Sequence, residues 1–123
     1  MPIDQVCVGE LVLSRNAETG QTDYKPVLAR MLKPRVPMQK LVVGDETVVA
    51  SPSHPFFSKN GGWTKVRSLD KGNALAAEDG TVRLNGNAVA EESAQAYNLV
   101  VADFGTYFVG KNRVLVHDNT PIR

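Results

Sequence analysis

The chain has few of the devices that brace many small proteins. Its 123 residues hold one cysteine, Cys7, so neither an internal disulfide nor a cage of several thiolates is available. The two histidines, His54 and His117, come without a paired carboxylate cluster, which leaves a metal site unsupported. No glycine-rich loop leads into a helix to cradle a phosphate, and no cofactor is expected. An excess of charge of one sign is also missing. Fourteen Lys and Arg against thirteen Asp and Glu leave a net charge of +1, so phosphate-driven binding lacks its basic face and nucleic acid is not an expected partner. The longest apolar runs, such as Leu41 to Val43 and Leu99 to Ala102, fall far below the roughly 18 residues that a bilayer-spanning helix requires. No membrane helix is expected, and the opening Met-Pro-Ile-Asp does not read as a secretory signal.

What remains is an ordinary balance of 42% apolar and 22% charged residues in a length that suits one core. Short apolar runs bounded by turn residues recur throughout, which predicts an all-β fold. Val6 to Ser14 and Asp23 to Met31 read as a hairpin around Asn16 to Gln21. Pro26 lacks a ladder donor and suggests an edge or a bulge. Lys33 to Pro37 reads as a loop or a kinked extended piece. Leu41 to Val43 and Thr47 to Ala50 read as a second hairpin across Gly44-Asp45-Glu46. The stretch Ser51 to Trp63 reads as loop, short strand and turn, followed by strands Thr64 to Leu69 and Asn73 to Ala77. Asp79-Gly80 and Asn85-Gly86 read as turns flanking Thr81 to Leu84. Ala90 to Ala96 alone has helix-forming composition, but it is too short and uncapped to be read as a helix. Tyr97 to Val101, Thr106 to Val109 and Arg113 to Val116 complete about nine or ten strands.

Three segments, PIDQVCVGELVLSRNAETGQTDYKPV, SPSHPFFSKNGGWTKVRSLDKGNAL and YNLVVADFGTYFVGKNRVLVHDN, resemble in order the blocks of the Hint (Hedgehog/intein) family. The likeness is nearest to the pretoxin Hint modules of bacterial polymorphic toxins. It implies a horseshoe of strands with a pseudo-two-fold repeat over residues 1–119, with 120–123 the start of a downstream segment or tail. It also implies intein-like self-processing, with the chain's own flanking segments, an upstream strand and a downstream effector, as partners, and a place in a secreted toxin. In that chemistry an N-terminal Cys or Ser attacks the preceding carbonyl, helped by an imidazole, and a C-terminal Asn then cyclises and breaks the bond after it. Both steps depend on holding the two ends together.

On the resemblance, His54 takes the central His position and Ser51 stands where the family usually has Thr. His117 and Asn119 match the closing His-Asn, but Asp118 intervenes, so either Asn119 is the cyclising residue shifted by one or Asp118 fills that role as a poorer nucleophile. The plain alternatives are an imidazole capping a loop and a frayed polar terminus. The family strand of the form Cys-x-x-Gly-Thr-x-Val is absent before Met1, and Cys7 reads as a half-buried strand thiol, although CVGELVLS offers a rival alignment to that strand. Gly105 stands where the family commonly has a His. These departures lead to the expectation of an impaired, degenerate or truncated module. Two other classes stay open: a non-catalytic β module that binds a neighbouring segment, or a second copy of itself, through an open sheet edge, and a thiol hydrolase pairing Cys7 with His54 or His117.

Overall fold

Alternation across the pleat decides which side chains go inside. In the strand Gln39–Val43, Leu41 and Val43 are buried while Lys40 and Val42 face out, and in Pro55–Ser58 the same period buries Phe56 and Ser58. The computed structural model describes residues 6–120 and 122. They form β1 (Leu11–Arg15), β2 (Thr22–Val36), β3 (Gln39–Val43), β4 (Glu46–Ala50), β5 (Pro55–Ser58), β6 (Gly62–Lys65), β7 (Ala74–Ala76), β8 (Thr81–Val89), β9 (Ala94–Val101), β10 (Thr106–Val109) and β11 (Val114–His117). One 3-10 turn, Val66–Ser68, follows β6, and no α-helix occurs among the described residues. The all-β expectation holds.

Two sheets carry the fold. One has the order β1-β2-β9; the other runs β10-β11-β5-β7-β8-β3-β4, with β6 paired to β5. Their inner faces share a core that includes Val27, Leu41, Phe56, Leu75, Leu84, Leu99 and Val116, each at most 2% exposed. Burying a side chain such as Phe56 contributes roughly 2–3 kcal/mol. The last strand does not end at an edge. β11 lies between β10 and β5, with Val116 opposite Phe56, and this brings the loop before β5 against the chain's closing residues.

A buried polar knot ties the sheets together. Thr106 of β10 donates to the Arg15 carbonyl at 2.7 Å and accepts the Arg15 N–H at 2.9 Å. Ser14 of β1 donates to the Thr106 carbonyl at 2.7 Å. The Arg15 guanidinium then reaches the carbonyls of Ala77 and Glu78 at 2.9 and 2.8 Å. With each hydroxyl supplying a single proton, this arrangement leaves no buried side-chain nitrogen or oxygen unpaired among the described residues.

Several local expectations need correction. The first strand starts at Leu11 rather than Val6, because Gly9 turns the chain at φ +93° and its N–H goes to Val27. Cys7 is therefore exposed and outside any strand, not a half-buried strand thiol. Ala90 to Ala96, too short and uncapped for a helix despite its composition, leads into β9 at Ala94 and its ladder with β2. Asn85-Gly86 is not a turn but lies within β8, at a register shift opposite β3. Thr64 to Leu69 divides into the end of β6 and the 3-10 turn. Ser51 to Trp63 supplies two strands around Gly61-Gly62, which takes the count to eleven. Lys33 to Val36 stays extended with a register shift, and another follows Pro26 between Val27 and Ala29.

Candidate functional site

The segment Ser51 to His54 forms a tight turn because Pro52 and Pro55 confine the backbone and the Ser51 carbonyl accepts the His54 N–H at 3.2 Å. Backbone bonds from Val66 to the His54 carbonyl, 3.0 Å, and from Arg67 to the Pro52 carbonyl, also 3.0 Å, pin that turn to the 3-10 segment. The imidazole then crosses to the end of β11. His54 Nε2 lies 3.0 Å from the His117 carbonyl oxygen. Since a carbonyl only accepts, Nε2 carries the proton and Nδ1 is left as an acceptor when the ring is neutral. Burial lowers the His54 pKa, the charge on His117 adds to that, and the bond to the His117 carbonyl works against it.

His117 is itself buried, its ring edge-on to Trp63 with centroids 4.9 Å apart. Its Nδ1 lies 3.1 Å from the Asp118 carbonyl oxygen and 3.5 Å from Asp118 Oδ1. Asp118 is also buried and its carboxylate is fully engaged. Oδ2 accepts the Val101 N–H at 2.8 Å, while Oδ1 accepts the Thr120 N–H at 2.9 Å and the Thr120 hydroxyl. The backbone is held on both sides, by Asp118 N–H to the Gly105 carbonyl at 2.8 Å and Asn119 N–H to the Leu99 carbonyl at 2.9 Å. Asn119 is exposed, and it shares with Ser51, His54, Asp118 and Thr120 the lining of one surface cleft.

Sequence reasoning thus named five residues that meet, Ser51, His54, His117, Asp118 and Asn119. Cys7 does not join them: it stands beside Glu10, whose carboxylate accepts its backbone N–H at 3.1 Å, and it does not line that cleft. Two neighbours, Tyr107 and Trp63, went unremarked as site residues. Tyr107 packs its ring 6.2 Å from that of His54 and donates its hydroxyl to Asn98 Oδ1 at 2.7 Å. Burial, and then the charge of Asp118, push the Tyr107 pKa far up, so the phenol stays a donor. Trp63 walls His117. Only the block patterns pointed towards these positions, since their contacts span distant parts of the chain. No group of three His, Cys, Asp or Glu able to hold a metal ion occurs among the described residues.

The model of the pretoxin HINT domain matches residues 1–119. The chain belongs to the pretoxin Hint family. A bacterial intein-like domain from Clostridium thermocellum superimposes with a TM-score of 0.89 at 30% identity, over 96% of this chain and 88% of that one. A DnaB intein from Synechocystis is similar at a TM-score of 0.82 and 15% identity, over 98% and 87% of the two chains, a likeness of fold alone. No curated protein matches the chain. Within this Hint fold, Gly105 stands where an imidazole was expected. It has φ +64°, and a Cβ there would lie 3.3 Å from Thr120 Oγ1 and 3.4 Å from Asp118 Oδ1. The space is already filled.

Proposed function

We propose that this Hint module cuts its own backbone in the tail following His117 and so releases the segment downstream, as would suit a domain placed before a toxin effector. The observation that carries the reading is the 3.0 Å contact between His54 Nε2 and the His117 carbonyl, made across 63 residues of sequence at the mouth of a cleft that also holds Asn119. An imidazole held neutral by its surroundings, with a fixed donor on one nitrogen, can orient the tail and exchange protons there. The acyl-shift half of the chemistry is impaired in this reading, because Cys7, the one thiol, is set apart from that imidazole.

The test is to incubate the purified 123-residue protein and follow its intact mass with time. Loss of a short C-terminal peptide is expected, slowed by at least about tenfold in His54→Ala, which removes one proton-transfer group. A parent mass that does not change over days at neutral pH, or cleavage that His54→Ala leaves at full rate, refutes the reading.

A further inference from the structure

Two residues compete for the part of cyclising residue, and the hydrogen bonds separate them. A side chain that attacks its own carbonyl must be free to swing onto it, yet both oxygens of the Asp118 carboxylate are occupied by donors from β9 and from the tail. Asn119 is exposed and only its backbone is held. Oδ1 of Asp118 accepts the backbone N–H of Thr120, and that nitrogen is the leaving group if the bond between Asn119 and Thr120 breaks.

Resting on the self-cleavage reading above, with Asn119 as the family's cyclising residue and Asn119–Thr120 as the broken bond, we propose that Asp118 is a catalytic residue, its carboxylate grasping the departing nitrogen. Nδ2 of Asn119 attacks the Asn119 carbonyl carbon and closes a succinimide. The bond from that carbon to the Thr120 nitrogen breaks. Nδ2 gives up one proton and the Thr120 nitrogen gains one, through water, so the products are a succinimide-ended chain and a free amine. As that nitrogen takes up its proton it becomes more positive, and a buried carboxylate 2.9 Å away favours this change more than it favours the neutral peptide. Asp118 is aimed in advance by the Val101 N–H and by His117, so little reorganisation accompanies the step.

The same geometry explains Gly105. Its missing side chain leaves room for Asp118 and Thr120, so the carboxylate occupies the place where an imidazole on residue 105 would reach. Gly105→His is expected to slow cleavage rather than speed it, since the new side chain strains a left-handed backbone and displaces Asp118.

The experiment is mass spectrometry of the full chain and of Asp118→Asn, which preserves shape and an acceptor oxygen while removing the charge. The expected result is release of Thr120 to Arg123 from the parent, and cleavage at least about tenfold slower in the variant. Release of Asn119 to Arg123, or an Asp118→Asn rate equal to the parent's, overturns the inference and leaves self-cleavage standing. A parent that never cuts overturns both. A second measurement needs no variant: in an amide-exchange spectrum of the parent, the Thr120 N–H is expected to be protected, and exchange at the rate of an unstructured peptide overturns the inference.

Discussion

Replacing Thr106 by Val removes one oxygen from the centre of the molecule and barely changes its shape. The parent hydroxyl donates to the Arg15 carbonyl and accepts the Arg15 N–H, at 2.7 and 2.9 Å, in a site that is 1% exposed. Two hydrogen bonds are lost at about 1 kcal/mol each, and the orphaned backbone groups of Arg15 add about 1 kcal/mol or more of unrelieved desolvation, for a total of about 3 kcal/mol. In a domain of this size that lowers the melting temperature by roughly 10 °C. Urea denaturation followed by tryptophan fluorescence reads the loss directly, Trp63 being the single indole. Thr22→Val is the control. Its hydroxyl accepts from Arg15 Nε on the exposed end of the same hairpin, and a loss within about 0.5 kcal/mol is expected there. Because Thr106 pairs directly with His117, Thr106→Val should also slow self-cleavage. A cost for Thr106→Val no greater than that of Thr22→Val would refute the claim that this knot joins the sheets.

Other outcomes follow from the same structure. Burial lowers the His54 pKa below its ordinary 6.5, so the unfolded chain binds the proton first; stability should hold above that pH and fall as the pH drops towards the folded-state value. Parallel urea midpoints against pH for the parent and His54→Phe test this, and curves of the same slope would refute the cause. Gly110→Ala combines φ +74° with a Cβ that would meet Glu46 Oε1 at 2.5 Å, the carboxylate that receives the Lys111 and Asn112 N–H groups; a loss of about 2 kcal/mol in chemical denaturation is expected. Iodoacetamide should label exposed Cys7 in the folded protein without changing the cleavage rate, and inhibition on labelling would return that thiol to the mechanism.

Turn chemistry and period-two alternation made much of the fold legible. The hairpin across Gly44-Asp45 and the turn at Asp79-Gly80 were readable because a short local sequence determines them. Asn85-Gly86 misled for the same reason: the dipeptide favours a turn, but pairing with β3 keeps the strand running through it. Ala90 to Ala96 has helix-favouring composition but neither the length nor the caps for a helix, and the ladder of β9 with β2 takes up its end. At the site, His54, His117 and Asn119 stood out through their motifs. What Asp118 touches did not, since the Val101 N–H and the space beside Gly105 belong to other parts of the chain. The Ser14–Thr106 bond spans 92 positions, and no local pattern announces it.

The inner place of β11, between β10 and β5, has a consequence for timing. β5 acquires that neighbour, and His54 its carbonyl, only from residues 116 and 117, the latter 63 positions beyond His54. A nascent polypeptide made only as far as β10 therefore lacks the contact on which the proposed cleavage depends. On the proposed reading, scission waits until β11 has been made and seated in its sheet.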